Sequence, residues 1–137
     1  MQSPVTLLNE ADIFAKIQEQ ERPYLKKYHA MFSSWLGGIT TNPRWMILPI
    51  DDHMVHRGDG VFEAMKFTQK KIYALEPHLD RLERSAAAIA LPLPYTRKQI
   101  RDLICATIQV ASSANGDSPK LAEGLVRLFV SRGPGGF

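Results

Sequence analysis

The spacing of apolar residues changes twice along this chain, and that change limits the folds open to it. Residues 61–67 and 72–75 are two short apolar runs separated by "TQKK", the pattern of a hairpin with a solvated tip. From Leu75 onward the period becomes helical. Leu75, Leu79, Leu82, Ala86 and Ile89 fall on one stripe, with Pro77 suited to a first turn, which predicts a helix over 76–90. "LPLPY" closes it, and Thr96 with Gln99 has the form of a capping box opening a second helix whose apolar face carries Ile100, Leu103, Ile104 and Ile108. After a loop signalled by Asn115-Gly116, alternation returns in "LVRLFVSRG", with Val126, Leu128 and Val130 pointing one way and Arg127, Phe129 and Ser131 the other. Strands, then two helices, then a strand imply an α+β domain with the helices packed on a largely antiparallel sheet.

Upstream, Asn9 is placed to cap a helix over 10–21, with Ile13, Phe14 and Ile17 on one side and Pro23 closing it. "KYHAMFSSWLGGI" reads as an aromatic-rich strand that breaks at Gly37-Gly38, and "WMILPI" (45–50) as another strand after an Asn42-Pro43 turn.

With 45% hydrophobic and 23% charged residues, a chain of 137 residues can bury a core. Seventeen basic against fourteen acidic side chains give +3, scattered along the chain. That pattern argues against a nucleic-acid partner and is compatible with an anionic small molecule. A single cysteine, Cys105, rules out an internal disulfide framework and any multi-cysteine metal site. The amino terminus lacks a cationic start with a long apolar stretch, and no segment reaches ~18 uninterrupted apolar residues, so the expectation is a cytoplasmic protein without a membrane partner.

Several residue groups could carry chemistry. His78, Arg81 and Ser85 lie along one border of the helical stripe at 76–90, where a guanidinium is half shielded from water and its planar donors suit a phosphate. The alternative is an arginine paired with Asp80 or Glu83 on a solvated face. Arg127, in the middle of an alternating strand beside Phe129, lies on a wet sheet face or in a pocket where it meets an anion. His53 and His56 form H-x-x-H near Asp51, Asp52 and Asp59, but Pro49 and the acidic pair predict a turn there, and no full metal-ligand set is present. Arg57-Gly58-Asp59 has no disulfide context for an adhesion tripeptide, and Gly58-Asp59-Gly60 lacks the third glycine of a dinucleotide fingerprint.

Taken together, "MFSSWLGGITTNPRWMILPIDDHMVHRGDGVFEAMKF", "LEPHLDRLERSAAAIALPLP" and "LVRLFVSRGPGGF" resemble the amino-terminal half of fold-type IV, class IV pyridoxal-phosphate aminotransferases, and D-amino-acid and branched-chain enzymes most of all. The resemblance implies pyridoxal 5'-phosphate as cofactor, an amino acid and a 2-oxo acid as substrates, and a homodimer. It gives Arg81 the cofactor phosphate and makes Phe62 part of the substrate pocket. Arg127, and as a second choice Arg132, become partners for the substrate carboxylate. It also implies 1–27 as a helical extension, 28–132 as the small amino-terminal domain and 133–137 as the start of an interdomain loop. The family's Schiff-base lysine and the glutamate at the pyridine nitrogen belong to a second domain. None of Lys16, Lys26, Lys27, Lys66, Lys70, Lys71, Lys98 or Lys120 matches the lysine motif, so this chain is expected to be inactive alone and to need a companion carboxy-terminal polypeptide. An aminodeoxychorismate lyase on the same scaffold, or a non-catalytic ligand-binding or dimerisation domain, remain alternatives.

Overall fold

The computed structural model describes residues 5–113 and 121–135. Its first element is α1 (Glu10–Glu19), started by a capping box in which the Asn9 side chain accepts from the Asp12 amide and Asp12 accepts from the Asn9 amide. The helix buries none of its residues, and Phe14 rests against Trp45 with ring centroids 5.4 Å apart. A 3₁₀ turn at Pro23–Lys27 follows. The expected aromatic strand is shorter than its sequence suggests. It divides into β1 (Met31–Ser33) and β2 (Gly38–Thr40), paired antiparallel as a separate small sheet.

Two local expectations are corrected. "WMILPI" is not a strand: Pro43–Trp45 forms a 3₁₀ turn capped by the Asn42 side chain, and the chain continues irregularly, with Ile47, Leu48 and Ile50 exposed. A continuous apolar run gives no alternation by which to tell strand from coil. The segment after Pro49 is α2 (His53–Arg57) and not a turn, because Asp52 caps it by accepting from the Met54 amide and Gly58 ends it in the left-handed region at φ 64°.

The main sheet is antiparallel, in the order β4-β3-β5, formed by β3 (Gly60–Thr68), β4 (Lys71–Ile72) and β5 (Glu123–Ser131). Between β3 and β4, Gln69 and Lys70 both have positive φ, the twist a two-residue hairpin needs, here without glycine. β5 pairs with β3 along its whole length, from Gly60↔Ser131 to Thr68↔Glu123. One face of the sheet is covered by α3 (Leu75–Ala88) and α4 (Arg97–Ser113), as expected from their stripes. Met65, Phe67, Leu79, Leu82, Ala86, Ile100, Ile104, Ile108 and Val130 form the core between them. The Thr96–Gln99 capping box is present at the start of α4. The predicted Asn115-Gly116 turn lies outside the described residues.

At the start of β3 the backbones are in close contact. A Cβ on Gly60 would sit 2.8 Å from the Val130 carbonyl oxygen, whereas one on Gly38 would meet nothing within 4 Å. We therefore expect Gly60→Ala to lower unfolding free energy by about 1–3 kcal/mol. Gly38→Ala should change it little, both read from urea midpoints at unchanged slope.

Candidate functional site

Alternation along β3 sends neighbouring residues to opposite faces, and the candidate site is built from that fact. Val61, Glu63, Met65 and Phe67 face the helices, while Phe62, Ala64, Lys66 and Thr68 face away from them. Glu63 is therefore a carboxylate among core side chains, with only 2% of its side chain exposed. A charge in that position costs several kcal/mol unless it is paired, and α3 supplies the partners. Arg81 donates from Nε to Oε1 at 2.7 Å and from Nη2 to Oε2 at 2.6 Å, a two-point grip of fixed geometry. His78, one turn earlier on the same face, lies 2.7 Å from Oε2 through Nδ1. An ionised carboxylate only accepts, so Nδ1 is the nitrogen carrying the proton.

The hydrogen bonds from Arg81 hold the Glu63 carboxyl below the usual carboxylate range, burial opposes them, and His78 adds to the lowering. The same contacts raise the Arg81 guanidinium further. Arg81 is nevertheless 58% exposed. Glu63 occupies its Nε and Nη2. A buried anion thus fixes the orientation of a largely exposed cation.

The partners differ from those a solvated helix edge suggests. Asp80 and Glu83 do not pair with Arg81. Both are taken, with Glu76, by Arg97 from the first turn of α4. Glu63 is the site residue that sequence reasoning missed. The signal was a lone glutamate at an inward position of the strand, and its partner is far along the chain.

On the opposite face, β5 brings two expected residues together. Phe62 and Phe129 are directly opposed in register, with ring centroids 6.0 Å apart, and Arg127 lies opposite Ala64. Phe62 is 65% exposed and Arg127 is exposed beside it, so the sheet presents an open aromatic-and-cationic wall. Among the described residues no carboxylate is paired with Arg127, since Glu123 is bound to Lys66 at 3.4 Å. Arg81 and this wall lie on different sides of β3. Among the described residues β4 pairs with β3 only at Phe67 and Thr68.

Arg132 is placed elsewhere. Its guanidinium holds Asp59 through two bonds (Nε to Oδ2 2.7 Å, Nη2 to Oδ1 3.1 Å) and donates to the carbonyls of Ile89 and Ala90 at 2.9 and 3.1 Å. Those bonds commit the donors a substrate carboxylate would need. The Arg-Gly-Asp-Gly stretch now has a structural account: Gly58 closes α2, Asp59 binds Arg132, and Gly60 admits no side chain. His53 and His56 lie side by side with ring centroids 5.1 Å apart, and His53 Nδ1 donates to the Gly133 carbonyl at 2.7 Å. Among the described residues no group of His, Cys, Asp and Glu is arranged to hold a metal ion, and no helix is long and apolar enough to cross a membrane.

A family model described as amino-transferase class IV matches residues 60–137. The chain is 41% identical to a chloroplastic D-amino-acid transaminase of Arabidopsis thaliana over 112 residues, 82% of this chain and 28% of the relative. It is 37% identical over 99 residues to a bifunctional aminodeoxychorismate lyase / D-amino acid transaminase of Mycobacterium tuberculosis, covering 72% of this chain and 32% of the relative. Among solved structures, a fold IV transaminase from Curtobacterium pusillum superposes with a TM-score of 0.58 at 37% identity, covering 66% of this chain and 30% of the other. This chain belongs to the class IV aminotransferase family and has the α+β fold of the amino-terminal domain of fold-type IV enzymes. It spans about a third or less of the length of these relatives.

Because the Glu63 carboxyl is held low, its contribution to stability is complete above the ordinary carboxylate value near 4.5 and disappears as pH falls through the lower folded-state value. Glu63→Gln is therefore expected to melt below the wild type at pH 7, with the gap closing as the pH is taken down toward 3. A gap independent of pH would remove the ion pair from this account.

Proposed function

We propose that this chain supplies the cofactor-phosphate grip and the substrate-side wall of a pyridoxal-phosphate-dependent aminotransferase, which moves an amino group between a D- or branched-chain amino acid and a 2-oxo acid. One observation carries the reading: a guanidinium locked at two points by a buried carboxylate, the arginine side chain nonetheless remaining 58% exposed. Class IV aminotransferases use pyridoxal phosphate, which when bound supplies the electron sink that eases loss of the amino acid's Cα proton.

In this reading Arg81 binds the phosphate dianion through its free edge, and Glu63 and His78 keep that edge aimed. Such preorganisation avoids the entropy cost of ordering a long side chain at the moment of binding. Phe62 and Phe129 form an apolar wall that keeps water from the substrate's side chain, and Arg127 binds its carboxylate. Arg132 is not part of this set, since its donors are committed. The residue that bonds the cofactor covalently and moves the Cα proton is assigned to the remainder of the enzyme, either a further domain or a companion polypeptide. A cytoplasmic homodimer completes the proposal.

A second reading, elimination of pyruvate in the manner of an aminodeoxychorismate lyase, is favoured by the Mycobacterium tuberculosis relative, whose name joins both activities. Product analysis separates the two: amino-group transfer to a 2-oxo acid, or pyruvate released without it.

Titrating the protein with pyridoxal phosphate and with pyridoxal tests the phosphate grip. Wild type is expected to prefer the phosphorylated form, and Arg81→Ala to lose roughly 10- to 100-fold of affinity for that form alone, the range of one charge-assisted contact pair. Equal losses for both compounds would place the phosphate elsewhere.

A further inference from the structure

Two arginines join β3 to α3, and their spacing on the two elements matches. Arg81 on α3 reaches Glu63 on β3. Arg132, from the end of β5, holds Asp59 at the lead-in to β3 with one side of its guanidinium and the carbonyls of Ile89 and Ala90 at the end of α3 with the other. Going from Glu63 back to Asp59 covers about 13 Å of strand at ~3.3 Å per residue, and going from Arg81 on to Ile89 covers about 12 Å of helix at ~1.5 Å per residue. Helix and strand therefore run antiparallel, and the two ionic contacts are rungs of equal separation.

The apolar contacts between the rungs, through Leu82 and Ala86, with Leu79 just outside them, are strong but non-directional. They keep α3 against the sheet without specifying how far along β3 it sits. Bidentate contacts do specify that. The end of α3 also needs an outside partner. Its last turn carries no basic residue, and it closes with the Leu91 amide bonded to the Ala86 carbonyl while Ala90 occupies the left-handed region at φ 51°, a position that favours glycine. Arg132 brings a cation from another element to those carbonyls.

We propose that Arg132 is a positioning residue for the phosphate site: its rung sets the axial position of α3 on β3, and so where the free edge of Arg81 sits relative to Phe62. The inference rests on the reading of Arg81 as the phosphate grip, but its structural half is tested without ligand. The probe is solvent exchange of the Arg81 Nε–H, which Glu63 protects, followed by nuclear magnetic resonance of the nitrogen-15-labelled protein. Arg97 Nε–H, held by Glu76 between α3 and α4, is the internal reference.

Arg132→Gln is expected to speed exchange at Arg81 by about fivefold or more and leave Arg97 unchanged, with Arg132→Lys in between. An unchanged Arg81, or equal acceleration of both arginines, overturns the proposal, because the clasp would then be only a global stabiliser. If Arg132→Gln fails to fold, Asp59→Asn weakens the same rung from its other end and carries the same expectation. Inorganic phosphate binding, measured on wild type, Arg81→Ala and Arg132→Gln, separates the two claims. Binding indifferent to Arg81 breaks the phosphate reading and leaves the rung to the exchange result. Binding that needs Arg81 but ignores Arg132 overturns the positioning role.

Discussion

A carboxylate inside an apolar layer is an unstable element unless cations reach it, and the arrangement around Glu63 follows from that requirement. With 2% of its side chain exposed, the group cannot rely on water, so α3 must lie where Arg81 and His78 can meet it. This orients the helix as well as packing it. The pairing leaves Arg81 half outside the core, held on one side and open on the other, which is how a structural ion pair can also serve as a binding group. A guanidinium suits both tasks because its five donors lie in one plane and two acceptors need not exhaust them.

The sheet separates two kinds of recognition by its pleat. The face toward α3 and α4 carries the core and the charged contacts to the helix, while the other carries Phe62, Phe129 and Arg127, all exposed. Adjacent positions on one strand, Phe62 and Glu63, thus contribute to both. Because β4 is only Lys71–Ile72, it does not pair with β3 at Phe62 or Glu63. The tight contact at Gly60 and the Asp59–Arg132 pair hold the start of the strand from which both residues project.

Much of the fold was legible from periodicity. The hairpin of β3 and β4, the stripes of α3 and α4, the Asn9 and Thr96 caps and the alternating β5 all come from local patterns of a few residues, and each is present. Local reading failed where the pattern was degenerate: "WMILPI" is apolar at every position and is not a strand, and α2 depends on an Asp52 cap and a left-handed Gly58 that the acidic pair disguised as a turn. Phe62 and Arg127 could be named from motif resemblance, and their placement on one face agrees with the alternation of their strands.

The amino-acid order by itself determined which residues could face inward and which could not, since side-chain direction repeats every two residues in a strand and about every 3.6 in a helix. Only the tertiary structure decided which charges meet. Arg81 had Asp80 and Glu83 close by in sequence, yet it binds Glu63, and Arg132 is occupied by Asp59 and the end of a helix. The physical reason is that a charge pairs most strongly where water is excluded, and which groups lose their water is set by how distant elements pack.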